Sequence, residues 1–300
     1  MNVSEACELF LNHCGSAISL SKHTLRAYQS DLRDIENYLG SLTRLDAVSK
    51  EHLRLYIRHL REQRQFKETS IKRRIACMKL LFRWAIHESI VQSNPFDTLN
   101  ERIRLPRRLP RALDSVDAAR LRQSVVKLAD KGGYDLLCHR AAIHLLMDTG
   151  IRVGELSSIC ISDMSLSDRC IRIQGKGNRQ RLVYMLSPSI LAVMKCYLAE
   201  RHGLHVASDK LFVTSDGREL TPPLVRRSLR DLAAQAGLTL RVTPHMLRHT
   251  CATQWLESGL DIRYVQKLLG HHSISTTEIY THVSDQGLRD ALSRAVGGKR

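Results

Sequence analysis

The sequence lacks three features that would mark a metalloprotein, a membrane protein or a secreted protein. Its eight cysteines show neither CxxC spacing nor the Cys/His pattern of a zinc site, so we expect reduced thiols and no metal. No apolar run approaches the roughly 20 residues of a membrane-spanning helix. The N-terminus has no secretory signal pattern. Aromatic residues make up only 5%, so the cores must be mainly aliphatic. We expect a cytoplasmic protein.

Negative charge is also in short supply. Lys and Arg number 46 against 30 Asp and Glu, which gives a formal net charge of +16. Such a protein attracts polyanions, of which nucleic acid is the commonest, although a basic protein without such a partner would have the same composition. The acidic residues are dispersed, which argues against a basic tail on a neutral domain. The length of 300 residues suggests two domains.

The first hundred residues have the periodicity of helices. Apolar residues recur at helical spacing in four segments. These segments begin near Val3, Thr24, Ser49 and Thr69. An Arg- and Pro-rich segment follows, where proline forbids a continuous helix and the arginines forbid a buried strand. We predict a helical domain over residues 1–100 and an extended basic linker over 101–112.

The remainder of the chain, 113–300, has a mixed pattern. One hairpin is predicted, with strands over 170–174 and 181–185 and a Gly-Lys-Gly-Asn turn between them. Predicted helices lie at 117–129, 134–149, 187–201, 224–236, 244–258, 262–269 and 285–296. The predicted fold is therefore mainly α with a small antiparallel sheet, a helical domain followed by a mixed α+β domain.

The last long helix of the first domain carries an excess of positive charge. Lys72, Arg73, Arg74, Lys79 and Arg83 crowd one side with no acidic residue between them. A solvated face usually mixes signs, because like charges repel and opposite charges pair at i,i+4. A surface that contacts phosphates is therefore favoured over an ordinary solvated face.

Two further segments carry residues suited to phosphate chemistry. Arg152 lies between two glycines at a helix junction, where its guanidinium can bind two phosphate oxygens and Glu155 can steady it. Lys176 sits on the glycine turn of the hairpin, from which it can enter a groove and donate a proton. Each has an ordinary alternative: a surface arginine near a helix end, and a lysine that keeps a turn hydrated.

The last two segments lie towards the C-terminus. His245, Arg248 and His249 share one helix face by their i, i+3 and i+4 spacing, which predicts either a common site or a structural polar cluster. Tyr280 follows nine residues after His271. A tyrosine in this position is by default a core or interface residue.

The order of these residues resembles the tyrosine recombinases, or phage-type integrases, and most closely their Xer-type members. The strings that carry the resemblance are TGIRVGEL, GKGNRQRLV, HMLRHT and LLGHHSISTTEIYTH. The resemblance covers essentially the whole chain, because residues 1–100 are also similar to that family's core-binding domain. The sequence departs from the family pattern at Tyr184, Cys251 and Gln254, none of which is a catalytic position.

The resemblance implies a mechanism without metal, cofactor or ATP. Tyr280 attacks the scissile phosphate of double-stranded DNA and forms a 3′-phosphotyrosyl link, and Lys176 protonates the 5′ oxygen. His245 assists Tyr280 as a base or hydrogen-bond partner. Arg152 and Arg248 stabilise the transition state with their permanent charge, and His271 donates a further hydrogen bond to the same oxygens, with Glu155 and His249 in support.

Recombination joins two DNA sites, so the resemblance also implies assembly. We expect a homo-tetramer, or a hetero-tetramer with a second recombinase, in which the amphipathic segment 288–296 docks into a neighbouring protomer. The alternative is a helix that packs on its own domain. The residues expected to contact DNA are Lys72, Arg73, Arg74, Lys79, Arg107, Arg108, Arg226 and Arg227.

Several functions remain open at this point. Resolution of chromosome or plasmid dimers in the nucleoid is favoured, because the sequence starts almost directly at the core-binding domain. The alternatives are an integrase or transposase of a mobile element, a DNA-binding accessory protein without catalysis, and a type IB topoisomerase.

Overall fold

The computed structural model describes residues 1–18, 20, 22–99, 112–127, 133–175, 180–204 and 206–270. The chain divides into two units, Met1–Arg107 and Arg108–Arg300, each with its own hydrophobic core. The described parts are mainly helical with one three-stranded antiparallel sheet, which confirms the predicted fold class. The boundary between the units falls inside the segment 101–112, of which the structure describes only the last residue.

The described part of the first unit contains four α-helices. They are α1 (Val3–Ser16), α2 (Lys22–Leu39), α3 (Lys50–Glu62) and α4 (Glu68–His87). The side chains of Asn2 and Ser49 cap α1 and α3 by accepting hydrogen bonds from backbone N–H groups of the first turn, which explains why these helices begin there. Leu32, Leu53 and Ile71 are among the fully buried side chains that pack the four helices together.

The positive face of α4 differs from the prediction. Arg73 donates to the carboxylate of Asp31 at 2.6 Å, and the Nε of Arg74 donates to Asp34 at 3.2 Å. Arg74 is only 8% exposed and its guanidinium lies over the ring of Phe66 at 4.2 Å. The expectation of a face of one charge sign is therefore wrong at Arg73 and Arg74, because α2 supplies the aspartates. Arg74 is a buried structural cation rather than an exposed phosphate contact.

The second unit combines seven helices with the sheet in its described part. The helices are α5 (Ser115–Lys127), α6 (Tyr134–Thr149), α7 (Val153–Ser158), α8 (Pro188–His202), α9 (Pro222–Gln235), α10 (Pro244–Glu257) and α11 (Ile262–Leu269). The strands are β1 (Met164–Ser165), β2 (Cys170–Gln174) and β3 (Gln180–Tyr184), in the order β1-β2-β3. The return strand of the hairpin begins one residue earlier than predicted, and the short strand β1 is an addition to the prediction.

α6 is the central helix of the second unit. Nine of its residues are buried, from Cys138 to Thr149, because other elements surround it on most sides. Its end is set by Gly150, which adopts the left-handed conformation at φ 60° and turns the chain towards α7. This turn positions the first residue of the candidate site.

The eight cysteines are divided between the hydrophobic cores and positions outside them. None of the eight cysteines forms a disulfide, and five are buried, namely Cys7, Cys14, Cys77, Cys138 and Cys251. Cys160, Cys170 and Cys196 lie outside the cores. Among the described residues, every helix is too short or too polar to cross a bilayer.

Candidate active site

The turn between α6 and α7 holds the first arginine of the site. The backbone N–H of Arg152 donates to Oε2 of Glu155 at 2.9 Å, and its Nη1 donates to Oε1 of the same carboxylate at 2.8 Å. The Arg152 side chain is nevertheless 42% exposed. Glu155 thus fixes one edge of the guanidinium, as the sequence predicted, while the group still reaches solvent.

A second arginine, Arg248 of α10, comes to the same turn from the opposite side. It is only 3% exposed. Its Nη1 donates to the carbonyl oxygen of Gly150 at 2.7 Å, and its Nη2 donates to the carbonyl oxygen of Leu269 at 2.7 Å. Arg248 therefore connects the α6–α7 turn to the end of α11. Arg152 follows Gly150 by two residues, so the two guanidiniums belong to one region.

Arg181 of β3 is a residue of this region that sequence reasoning missed. Its Nη1 and Nη2 donate to the two oxygens of Glu155 at 3.1 and 2.7 Å, and its Nε donates to the carbonyl oxygen of Leu268 at 2.8 Å. The strand itself contained a signal for this residue. Arg181 lies two positions before the buried Val183, and residues two apart in a strand face the same side of the sheet, so the charged side chain points inward. An inward charge requires a partner.

The charges around Glu155 decide its protonation. Burial raises the pKa of Glu155, but hydrogen bonds from Arg181 and from Arg152 outweigh burial, so its pKa lies below the usual range. The carboxylate is therefore ionised at neutral pH. One negative charge is shared between two guanidiniums, which leaves the site positive.

The histidines of α10 are held in the neutral form. Partial burial lowers the pKa of His245, and the positive charges of Arg248, Arg152 and Arg226 lower it further. Burial, His245 and Arg248 lower the pKa of His249 to about 4. Three arginines from different elements thus act on His245, which groups it with Arg152 and Arg248. A neutral imidazole can accept a proton.

Three of the six predicted catalytic residues are described. Arg248 contacts Gly150, two residues before Arg152, and both arginines lower the pKa of His245. Lys176, His271 and Tyr280 lie outside the described residues. The predicted DNA contacts Arg107 and Arg108, the helix 285–296 and most of the linker also lie outside them.

The other predicted DNA contacts are mostly at the surface. Arg226 and Arg227 are exposed on α9 of the second unit, and Arg226 is the one whose charge acts on His245. Lys72 and Lys79 are exposed on α4 of the first unit, where the ammonium of Lys79 lies 5.6 Å from the centre of the Phe96 ring. Only Arg74, as described above, is withdrawn from solvent.

An apolar groove lies beside the site in the second unit. It has a volume of about 480 Å³. Its lining includes Leu186, which is 70% exposed, together with Trp255, Leu260 and Leu268. The three positions at which the sequence departs from the recombinase pattern also line it, namely Tyr184, Cys251 and Gln254. These departures therefore change the lining of the groove and do not include Arg152, Arg181 or Arg248.

A metal centre of protein side chains is not formed within the described ranges, where His, Cys, Asp and Glu do not gather in groups of three. The polar chemistry that the described site offers is that of guanidinium, imidazole and carboxylate groups. This set favours binding of an anion, since guanidiniums exceed carboxylates.

Comparison with known proteins agrees with this chemistry. Residues 122–287 match the phage integrase family, and residues 7–89 match the phage integrase N-terminal SAM-like domain. A tyrosine recombinase of Agathobacter rectalis is 32% identical over 296 residues, covering 97% of this chain and 96% of that protein. The tyrosine recombinase XerD of Rhizobium meliloti is 36% identical over 292 residues, covering 95% and 93%.

A solved structure is similar over the whole length. The XerH site-specific recombinase bound to a palindromic difH substrate in a post-cleavage complex has a TM-score of 0.78 and 25% identity, with 93% of this chain and 82% of that chain covered. The similarity includes residues of both units.

Proposed function

Because the chain belongs to the phage integrase family, whose members are the tyrosine recombinases, we propose that its Arg152–Arg248 region binds the scissile phosphate of DNA. The chain is a site-specific tyrosine recombinase, an enzyme of DNA strand exchange. The observation that supports the proposal is that Arg248 donates to the carbonyl oxygen of Gly150, two residues before Arg152, whose guanidinium is held by Glu155.

The nucleophile in this proposal is Tyr280. Its phenolic oxygen attacks phosphorus, the bond to the 5′ oxygen breaks, and a 3′-phosphotyrosyl link and a 5′-hydroxyl result. Lys176 gives a proton to the departing 5′ oxygen, and His245 assists removal of the phenolic proton. One phosphodiester is exchanged for another, so religation needs no ATP.

The two arginines have different parts in this reaction. Arg152 has an exposed guanidinium that can donate to the non-bridging oxygens, and Glu155 limits its freedom to turn away. Arg248 is buried and contributes positive charge while it holds the carbonyls of Gly150 and Leu269 in place. Charge that is fixed in advance stabilises the transition state more than mobile charge. His271 adds a hydrogen bond to the same oxygens.

The lowered pKa of His245 supports its role as an acceptor. An imidazole that is neutral at neutral pH can take a hydrogen bond or a proton from the phenol of Tyr280. The same arginines that lower the pKa of His245 favour the ionised phenol, because positive charge stabilises the anion. His249, with its pKa of about 4, supports the site as a neutral neighbour.

The biological role that we propose is the resolution of chromosome or plasmid dimers in the nucleoid. It is supported by full-length similarity to proteins named XerD and to the XerH recombinase. A plasmid dimer with two directly repeated copies of the cognate site should be converted to monomers. Insertion of an excised DNA circle into new sites, without resolution of dimers, would instead point to a mobile element.

Assembly into a tetramer on DNA, of one or of two kinds of recombinase, is part of the proposal. The apolar groove beside Leu186 and Trp255 supports it, because an exposed apolar surface favours a partner and the amphipathic segment 288–296 has matching chemistry. Leu186→Glu should reduce the tetramer fraction on DNA, measured by sedimentation, and leave monomer binding intact. An unchanged tetramer fraction would remove the groove from the assembly.

The catalytic proposal is tested with a nicked cognate site, which traps the covalent intermediate because the cleaved fragment diffuses away. A protein–DNA adduct is expected with the native chain and not with Tyr280→Phe. Strong binding without any adduct would indicate an accessory protein. Relaxation of supercoiled DNA without dependence on the site would indicate a topoisomerase.

A further inference from the structure

Arg181 occupies a position that joins three elements of the second unit. Its guanidinium lies between Glu155 of α7 and the last turn of α11, and its backbone belongs to β3. Both oxygens of Glu155 receive bonds from Arg181, and both also receive bonds from Arg152. The orientation of the carboxylate, and through it of Arg152, therefore depends on Arg181.

Burial makes this contact different from the surface ion pairs of the chain. The side chains of Arg181 and Glu155 are 11% and 9% exposed. An exposed pair exchanges its partner for water at little cost, whereas a buried carboxylate that loses its partner must protonate or turn towards solvent. Loss of Arg181 would thus change the state of Glu155 as well as remove a contact.

The end of α11 is held by the same guanidinium. Arg181 donates to the carbonyl of Leu268, and Arg248 donates to the carbonyl of the next residue, Leu269. These carbonyls lie at the negative end of the helix, where a cation is favourable. Gly270 follows at φ 67°, and a Cβ there would lie 3.1 Å from the Cδ and Nη1 of Arg181, so the guanidinium packs directly against the exit of the helix.

We propose that Arg181 is a positioning residue of the recombinase. It holds Glu155, and through Glu155 the guanidinium of Arg152, in a fixed place relative to the end of α11, the helix that leads in sequence to His271. Arg248 forms a second connection of the same kind, from Gly150 to Leu269. Arg181 thus joins α7, and Arg248 joins the α6–α7 turn, to the end of α11. The inference rests on the proposed role of Arg152.

The test compares Arg181→Gln and Arg181→Lys in the full-length chain on the nicked cognate site. Arg181→Gln should slow single-turnover adduct formation by about 100-fold, the scale expected when a reacting group is displaced by about 1 Å, with little change in the Kd for DNA. Arg181→Lys should restore little, because one ammonium cannot bridge both carboxylate oxygens and a carbonyl. Arg218→Gln, which removes an exposed arginine paired with Asp216, is the matched control and should cleave normally.

Two readouts separate positioning from a general loss of structure. First, Glu155→Gln and Arg181→Gln should be non-additive, so the double variant is about as slow as either single variant. Second, without Arg181 the pKa of Glu155 should rise, because burial remains and Arg152 alone opposes it. Adduct formation by Arg181→Gln should then decline at a higher pH than in the native chain, and Glu155→Gln in that background should remove this difference.

The outcomes are distinct. Near-normal cleavage by Arg181→Gln, or additive losses with Glu155→Gln, overturns the inference. If Arg181→Gln does not fold, Arg181→Lys decides by the first readout alone, since it keeps the charge and loses the bridging geometry. Normal cleavage by Arg152→Gln would instead overturn the proposed phosphate site, whereas an inactive Arg152→Gln beside an active Arg181→Gln overturns the inference alone.

Discussion

Each of the two units contains a pair of arginines held by carboxylates, and the two pairs differ in their role. In the first unit, Arg73 and Arg74 meet two aspartates, Asp31 and Asp34. In the second unit, Arg152 and Arg181 share the single carboxylate of Glu155. In the first cluster, Arg64 also lies 3.7 Å from Asp34, and Arg74 is buried between the aspartates, so this cluster is structural. In the second cluster the guanidinium of Arg152 is 42% exposed beside a single carboxylate, which is what an anionic substrate requires.

The position of the exposed guanidinium sharpens this difference. Arg74 is covered by Phe66 and withdrawn from water, so its charge serves the packing of α2 against α4. Arg152 keeps its outer edge in solvent while Glu155 holds the inner edge. An arginine that is fixed on one side and open on the other is suited to an anionic ligand, which supports the proposed phosphate site at the second cluster.

The largest effect is expected from a change in the cluster of the second unit, which contains Arg152, Arg181 and Glu155. Arg152→Gln should slow single-turnover adduct formation by about 100- to 1000-fold, the loss that follows removal of a donor to developing negative charge. Arg61→Gln removes an arginine of the first unit that pairs with Glu68 and is the control. Equal rates for the two variants would contradict the distinction between the clusters.

The next largest effect is expected from a change in the cluster of the first unit, which contains Arg73, Arg74, Asp31 and Asp34. Arg74→Met leaves Asp31 and Asp34 buried without that charge, so the free energy of unfolding should fall by about 3 kcal/mol in chemical denaturation. Lys72→Met, at an exposed position of the same helix, should change it by less than about 0.5 kcal/mol. A stability loss for Arg74→Met no larger than that for Lys72→Met would show that the cluster is not structural.

A smaller effect is expected from removal of one positive charge that acts on His245. Arg226 is one of the cations that lower the pKa of His245, so Arg226→Gln should raise that pKa. If neutral His245 is needed for cleavage, the rate falls as the pH falls through this pKa, and the decline should occur at a higher pH in Arg226→Gln. The pH profile of adduct formation measures the shift, and Arg230→Gln on the same helix should show less of it.

The smallest effect concerns exposed cations of the first unit. Lys72→Gln should weaken DNA binding about equally for all sequences and reduce the slope of log K against log salt by about 1, as expected for one lost phosphate contact. Titrations at several salt concentrations measure this slope. An unchanged slope would remove Lys72 from the DNA-binding surface.

The sequence predicted the bounds of some helices correctly. α6 and α11 have the predicted bounds, and Arg248 donates to Gly150, two residues before Arg152. The partners of Arg74 and Arg181 were not predicted, because they lie far away along the chain. Arg74 binds a residue 40 positions earlier, and Arg181 binds residues 26 positions earlier and 87 positions later. Such pairs exist only once the helices have packed.

The most direct test of the central claim removes the charge from the substrate rather than from the enzyme. A cognate site with a neutral methylphosphonate at the scissile position no longer needs the charge of Arg152. The account predicts that Arg152→Gln cleaves this substrate at nearly the rate of the native chain, although it fails on the ordinary phosphate. An equal defect on both substrates would contradict the claim that Arg152 neutralises the scissile phosphate.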